Sequence, residues 1–356
     1  MASNSSTSIR PDWQQALYAK PWIWLALLVC AHILSRICIS AGMKWDESEQ
    51  ILWAQQLQLG YGPQPPLYTW MQWAVCQLLG PSVLALALLK HLLIALAYCL
   101  AWLAGRQLLN QKGAWWVAAG LLLMPPFGWD SLRDQTHTVM VTAMTMGLWW
   151  AVLRQVQKPQ AVNFVLIGLF CGLGMLSKYS YAMLIGALFV ASMTVAQVRS
   201  AIFARGWWLA PLVGLLVFAP HAFWLASHWG MATTETVQKM SISTEASHLK
   251  GLGNLLKALL ATLGLWLIAA VLSYRSRLWK PGTDASLPSQ EWARPLLRNY
   301  LLVIAVCLLA MVLVADVTDF KQRWMLPLTA VVPLALYVWR PALLAQGVGR
   351  LFTVFV

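Results

Sequence analysis

The chain has 356 residues, of which 60% are hydrophobic and only 10% are charged. This composition excludes an ordinary soluble domain, because the apolar surface is too large for one soluble core. The formal net charge of +13 does not indicate nucleic-acid binding, because the basic residues lie in short loops between apolar runs rather than on one soluble face.

Long apolar runs recur along the whole chain and predict an all-α polytopic membrane protein. Helices satisfy their own backbone groups in lipid, and these runs are too long for barrel strands and lack period-two alternation. At roughly 20 residues per span, about ten transmembrane helices are expected. The runs are Trp22–Ala41, Pro81–Ala104, Ala114–Phe127, Val139–Leu153, Ala161–Leu176, Tyr181–Val198, Trp207–Ala226, Leu255–Tyr274, Leu301–Ala315 and Met325–Trp339.

The charged residues predict the orientation of these spans. With the N-terminus inside, the cytoplasmic stretches hold most of the Lys and Arg residues and the outward stretches hold most of the Asp and Glu residues, as the positive-inside rule requires. No small-residue cleavage site follows the first run, so we expect a retained signal anchor.

One long cytoplasmic loop, Arg275–Arg298, suggests a division of the chain into parts. Residues 1–20 are predicted as a cytoplasmic tail and 21–274 as the transmembrane core. Residues 275–299 are predicted as a cytoplasmic linker, and 300–356 as a C-terminal transmembrane pair with its tail. The small-residue stretch "GLFCGLG" (Gly168–Gly174) lies within an apolar run, so it predicts close helix packing rather than a nucleotide-binding loop.

The first outward loop, residues 42–80, carries the densest acidic cluster of the chain. Its segment "DESEQILWAQQLQL" mixes apolar and polar residues and predicts an amphipathic helix on the membrane surface. The turn Gly60–Pro63 ends that helix. The following segment "PPLYTWMQWAVCQLLG" predicts a second interfacial helix with an aromatic belt.

Four outward motifs together resemble the polyprenyl-phosphate-sugar-dependent glycosyltransferases of GT-C fold, the superfamily of the protein O-mannosyltransferases and aminoarabinose transferases. The first is an Asp-Glu pair after the first span, followed by Gly-Tyr-x-x-x-Pro-Pro-Leu. The other three are "RDQTHTVMVTAM", "GLGMLSKYSYAML" and "FKQRWMLPL". The resemblance covers roughly residues 20–340. It implies a bacterial inner-membrane enzyme whose active site faces the periplasm.

The resemblance assigns the catalytic base to Asp46 and a supporting role to Glu47. Transfer of a sugar needs a base that takes the proton from the acceptor hydroxyl as it attacks the anomeric carbon. The alternative is that Asp46 is a solvated acid that caps the surface helix.

Cationic side chains on the outward side are candidates for binding the donor phosphate. The leaving group of this chemistry is a polyprenyl phosphate, and its developing negative charge needs a fixed cation. Lys178 is the first candidate and Arg133 the second, with Lys321 and Arg323 in the later outward loop as further ones. The alternative for an interfacial lysine is that it snorkels to the membrane surface.

Further residues are predicted to bind the sugar or the acceptor. Asp130 and Asp134 lie four residues apart, and Asp130 has a bland alternative as the ion-pair partner of Arg133. His137 stands beside Asp134. The resemblance adds Tyr61 and Gln64; Gln64 occupies the place where the aminoarabinose transferases carry a lysine.

The predicted partners are a polyprenyl-phosphate-linked sugar, membrane lipids and an envelope acceptor, which is lipid A, a polysaccharide or a protein. No metal-ligand spacing occurs, and a divalent cation is left open. Arg36 and Lys90 lie inside apolar runs and receive no role. A rival function is a transporter or flippase of a lipid-linked sugar, which would use the same cavity without chemistry.

Overall fold

The computed structural model describes residues 21–132, 134–239, 248–274, 278 and 291–345. Within these ranges the secondary structure is helical, with one isolated bridge between Tyr61 and Gln64. The helices are α1 Pro21–Ile39, α2 Trp45–Trp53, α3 Leu67–Leu79, α4 Val83–Leu108, α5 Gln111–Leu122, α6 Pro125–Gly128, α7 Thr136–Gln157, α8 Ala161–Met175, α9 Tyr181–Met193, α10 Ala196–Ile202, α11 Leu209–Ser227, α12 Trp229–Lys239, α13 His248–Tyr274, α14 Ala293–Leu313, α15 Gln322–Thr329, α16 Val332–Trp339 and α17 Ala342–Ala345.

Each predicted apolar run is helical, but not every run is one long helix. Among the described residues, six helices (α1, α4, α7, α11, α13 and α14) are long and apolar enough to cross a membrane. The pair α9 and α10 would make a seventh span, bent by 117°. The third run is divided between the 12-residue α5 and the short α6, and the tenth is divided between α15 and α16. The multi-pass helical class is therefore confirmed, whereas the number of about ten spans stays a prediction.

Two helices form the centre of the bundle. In the apolar window of α7, 89% of the residues are buried inside the protein, and in that of α4 61% are buried. The corresponding windows of α1 and α11 are only 6% buried, so their side chains face outward, where lipid would lie. Two threonines of α7 are satisfied within the helix, because Thr142 and Thr145 donate to carbonyls four residues earlier.

The ends of these helices follow local rules of capping. Ser82 accepts a hydrogen bond from the Ala85 amide at 3.2 Å and begins α4. Asn110 accepts from the Gly113 amide at 2.8 Å and begins α5. A side-chain oxygen at these positions satisfies an amide that has no partner inside the helix.

The predicted four-part division of the chain stays a prediction, and the described residues add two facts to it. Helix α14 begins at Ala293, inside the range predicted as a linker. Its side chains Leu297, Tyr300 and Ile304 belong to the same hydrophobic core as α4 and α7. The C-terminal helices thus pack into the body of the protein.

The glycines of α8 permit the close helix packing predicted from "GLFCGLG". A Cβ atom added at Gly168 would lie 2.4 Å from the Ala210 carbonyl oxygen of α11. One added at Gly172 would lie 2.7 Å from the Val217 side chain of the same helix. Helices α8 and α11 therefore approach each other backbone to backbone.

Replacement of Gly168 by Ala is expected to destabilise the protein by about 1–3 kcal/mol, because the added methyl group must push α8 and α11 apart. The measurement is the free energy of unfolding in mixed micelles of dodecyl maltoside and SDS. Gly186→Ala is the matched control, because a Cβ at this helical glycine of α9 meets nothing within 4 Å. Equal stability of the two variants would contradict the close packing.

Candidate active site

A cavity of about 670 Å³ lies at one end of the bundle. Its wall is built by α2, by the first loop at Pro63 and Gln64, by the first turn of α7, by the segment that precedes α9, and by α14 and α15. Several polar side chains line it, and apolar side chains such as Leu308, Met311 and Phe320 complete it. The polar lining residues are Asp46, Ser48, Glu49, Gln64, His137, Thr138, Lys178, Tyr179, Ser180 and Arg323.

Asp46 lies in the first turn of α2, where its partly exposed carboxylate faces the cavity. The guanidinium of Arg323 approaches this carboxylate, with 3.7 Å between Arg323 Nη1 and Asp46 Oδ1. The Asp46 amide donates to Asp134 Oδ1 at 3.3 Å. Asp134 therefore satisfies a free amide at the start of α2, and the positive end of the helix dipole favours its charge.

Glu47 points the opposite way, into the protein, and is fully buried. Its Oε2 lies 2.6 Å from Arg36 Nη2, and its Oε1 lies 2.8 Å from Lys90 Nζ. Burial by itself raises the pKa of Glu47, but the hydrogen bonds and charges of Arg36 and Lys90 outweigh it and hold the pKa below its usual range. The sequence left Arg36 and Lys90 without a role; both contact Glu47.

Lys178 lies in the short turn between α8 and α9, on the cavity wall. The backbone amide of Lys178 closes this turn, because it donates to the Gly174 carbonyl oxygen at 3.1 Å. Lys178 Nζ donates to Thr138 Oγ1 at 3.4 Å. Burial, helped by the positive charge of Arg323, lowers the pKa of Lys178 to about 7, while the Asp46 carboxylate opposes this shift.

Asp130 lies beside the cavity rather than on its lining, in a 3₁₀ turn that spans Asp130–Leu132. Its Oδ2 accepts hydrogen bonds from the side-chain amides of Gln135 and Gln322. Burial, and secondly the charge of Asp134, raise the pKa of Asp130. Arg133, its suggested ion-pair partner, lies outside the described residues.

His137 and Gln64 lie on the cavity lining, whereas Tyr61 lies behind it. His137 Nε2 is 3.2 Å from Gln50 Nε2, and Gln50 Oε1 accepts from the Thr69 hydroxyl. The Tyr61 hydroxyl is buried in the first loop, where it donates to the Gln56 carbonyl and accepts from the Gln58 amide. In the later outward loop, Arg323 faces the cavity and Lys321 Nζ lies 5.9 Å from the centre of the Trp324 ring.

A polar relay through His221, which the sequence did not predict, links the first outward loop to Tyr179, the residue after Lys178. His221 Nδ1 lies 2.7 Å from the Leu59 carbonyl oxygen, and His221 Nε2 lies 2.9 Å from the Tyr179 hydroxyl. Because a carbonyl only accepts, Nδ1 carries a proton. The loop also packs on Trp224, since a Cβ added at Gly60 would lie 2.3 Å from its ring.

Among the described residues, no group of three or more His, Cys, Asp or Glu side chains could hold a metal ion.

Known proteins with similar sequences are membrane glycosyltransferases. Residues 63–224 match the family model described as dolichyl-phosphate-mannose-protein mannosyltransferase. The chain is 32% identical over 321 residues to the lipopolysaccharide core galacturonosyltransferase RgtB of Rhizobium johnstonii, a match that covers 88% of this chain and 64% of the relative. It is 29% identical to RgtA of the same organism, with 87% of this chain and 62% of that relative covered.

A solved structure shares the fold. ArnT from Cupriavidus metallidurans, bound to undecaprenyl phosphate, superposes with a TM-score of 0.65 over 92% of this chain and 63% of that chain, at 15% identity. The predicted all-α GT-C fold and the predicted resemblance are confirmed. The chain spans less than two thirds of the length of the curated relatives named here.

The lowered pKa predicts that Lys178 reacts with acylating reagents at unusually low pH. Only the neutral amine is nucleophilic, so its acylation by acetic anhydride is expected to rise through about pH 7 and to level off roughly one unit higher. Quantitative mass spectrometry of the protein in micelles, with the exposed Lys44 as internal reference, measures this profile. A profile for Lys178 that rises only above about pH 10 would contradict the assigned environment.

Proposed function

We propose that this chain is a membrane glycosyltransferase that moves a sugar from a polyprenyl-phosphate donor to an acceptor of the bacterial envelope. The observation that carries the proposal is the presence of Asp46, Lys178 and Arg323 on the wall of one cavity. The similar proteins RgtB and RgtA are named as lipopolysaccharide core galacturonosyltransferases. Galacturonic acid and the lipopolysaccharide core are therefore the first sugar and acceptor to test.

The proposed reaction is a single inverting displacement. Asp46 takes the proton from the acceptor hydroxyl while the hydroxyl oxygen attacks the anomeric carbon. The bond between this carbon and the phosphate oxygen breaks, and both of its electrons leave with the polyprenyl phosphate. Lys178 and Arg323 stabilise the negative charge that develops on the leaving oxygen. A bound phosphate favours the protonated form of Lys178, so the amine becomes a cation when the donor arrives.

A second cavity supports a donor with a long apolar tail. It has a volume of about 640 Å³ and lies between α7, α8, α9 and α11. Its lining is almost entirely apolar and includes Leu148, Phe164, Met175 and Phe218. Met175 lies three residues before Lys178, so the tail of a carrier seated there would leave its phosphate near the first cavity.

We further propose that the cavity faces the periplasm and that the N-terminus is cytoplasmic. The site residues lie just after the ends of α1 and α8 and at the beginnings of α7 and α15. These four helix ends lie at the same end of the bundle. The basic loops predicted to be cytoplasmic connect the opposite ends. The bacterial inner membrane is the location that this orientation and the envelope acceptors of the relatives favour.

The roles of the remaining candidates follow from their positions. Glu47 supports α2, and Asp134 holds the amide at its start. Gln64 and His137 lie on the lining, and their proposed role is contact with the sugar or the acceptor. Asp130 lies beside the cavity, and its proposed role is exerted through its hydrogen bond with Gln322. Lys321 and Tyr61 act through their neighbours Trp324 and Gln56.

Replacement of Asp46 by Asn is expected to lower the rate of transfer by about 10²- to 10⁴-fold, because the base is removed while size and polarity are kept. Deletion cells are complemented with the wild type or the variant at equal membrane abundance. Mass spectrometry of their glycolipids, polysaccharide and glycoproteins then measures the product. A sugar that disappears on deletion, returns with the wild type and stays absent with the variant supports an enzyme and identifies its acceptor.

Exposed Glu291→Gln is the matched control, because it makes a similar change far along the chain from the cavity-lining residues. If Asp46→Asn restores the product as fully as the control does, Asp46 is not the base of the reaction. A flippase of a lipid-linked sugar then becomes the better explanation of the cavity.

A further inference from the structure

We propose that Arg36 and Lys90 are positioning residues of the site: through Glu47 they hold α2 so that Asp46 faces the cavity. This inference rests on the proposed function, because it explains how the base is aimed. Neither residue lines the cavity, and both belong to predominantly apolar helices.

The contacts join three separate elements at one carboxylate. Arg36 lies in the last turn of α1, Glu47 in the first turn of α2, and Lys90 in α4. The exposed fraction is 8% for Arg36 and 0% for both Glu47 and Lys90. Arg36 also donates to the carbonyls of Ser40 and Gly42, at 2.6 and 3.0 Å. The cluster therefore fixes both α2 and the chain that leads into it.

Apolar packing does little to hold α2 in place. The only buried side chains of this nine-residue helix are Glu47 and Gln50, and both are polar. Of its large apolar residues, Trp45 is exposed at 89% and Leu52 at 67%, and Ile51 and Trp53 are only partly buried. A helix of this length is also marginal by itself. The orientation of α2 must therefore come from polar contacts, of which the two to Glu47 are charged and fully buried.

Because Glu47 is held in one direction, the geometry of the helix also sets the direction of the Asp46 side chain. Consecutive side chains of an α-helix differ by about 100° in direction. With Glu47 directed into the protein, Asp46 is directed sideways, toward the cavity and Arg323. A misplacement of about 1 Å in a reacting group costs on the order of 10²-fold in rate.

A buried ion cluster is a poor device for stability alone. Desolvation of three charged groups is costly, and well-packed apolar replacements of such clusters are often as stable or more stable. What apolar groups lack is direction, because dispersion contacts do not select one orientation of a short helix. The cluster is therefore suited to setting the direction of Asp46 rather than to stabilising the fold.

The experiment uses the triple variant Arg36→Met, Glu47→Leu, Lys90→Met, which removes all three charges together and leaves no buried charge unpaired. The full chain in lipid nanodiscs is compared with wild type and with Tyr274→Phe. Tyr274 is the control because it loses another buried polar contact, the 3.0 Å hydroxyl pair with Tyr337, far from α2.

For the triple variant we expect thermal stability close to that of the wild type, with amide exchange across residues 45–53 at least about 10-fold faster. The kcat for sugar transfer is expected to fall about 10- to 100-fold, with the KM for the donor changed less than about threefold. Tyr274→Phe is expected to leave the exchange of α2 and the kcat unchanged. The single variant Lys90→Met leaves Glu47 paired with Arg36 alone and should give an intermediate exchange rate.

Wild-type exchange of α2 in the triple variant would overturn the inference, as would a wild-type kcat. Unfolding of the triple variant together with unchanged exchange of α2 in Lys90→Met would assign the cluster to fold stability alone. If wild-type protein transfers no sugar, the proposed function fails, and the exchange rates still decide whether the cluster positions α2.

Discussion

A single buried carboxylate, that of Glu47, is the point from which the outward end of the protein is organised. It forms ion pairs with both Arg36 and Lys90, two cations on predominantly apolar helices. A lone charge at such a place would be strongly disfavoured, so each of these groups requires the others. Because the three lie on α1, α2 and α4, their pairing fixes the relative position of two long helices and the short surface helix that bears Asp46.

The rest of the site extends this principle of mutual satisfaction. Asp134 meets the free amide at the start of α2, and Arg323 approaches Asp46 from the opposite wall. Lys178 is joined to Thr138 at the beginning of α7, the most buried long helix. The catalytic candidates are thus attached to a rigid centre formed by α4 and α7, although they belong to loops and to the ends of helices. Loops on a rigid scaffold are a common arrangement for reacting groups.

Much of this architecture was readable from the sequence, because apolar length and charge bias act over short stretches of chain. The helical class, the surface helix at Asp46 and the packing of "GLFCGLG" follow from such local patterns. The number of spans stays a prediction, since α5 is only 12 residues long and the tenth run is interrupted between α15 and α16. An apolar run indicates that a segment lies in lipid or in the protein core, but it does not indicate whether that segment is one straight helix.

The candidate site divides in the same way. Asp46 and Lys178 could be predicted as candidates from the sequence, because each lies in a recognisable motif on the outward side. The partnership of Lys90 with Glu47 was not found, because 43 residues separate them and only the folded arrangement of α2 and α4 brings them together. A charge inside an apolar run was the one available signal, and it indicates that a partner exists without saying which. His221 gave an even weaker signal, since its partners Leu59 and Tyr179 carry no charge.

The relay through His221 has a thermodynamic consequence for how the two sides of the cavity communicate. One ring nitrogen holds the first loop at Leu59, and the other holds Tyr179, the neighbour of Lys178. A ligand that shifts the Lys178 turn therefore changes the free energy of the first loop, and a ligand that shifts the loop changes the free energy of the turn. Linkage requires the two free energies to be equal. A group bound at Lys178 must accordingly change the affinity for a group held by the loop by the same factor as the second group changes the affinity for the first.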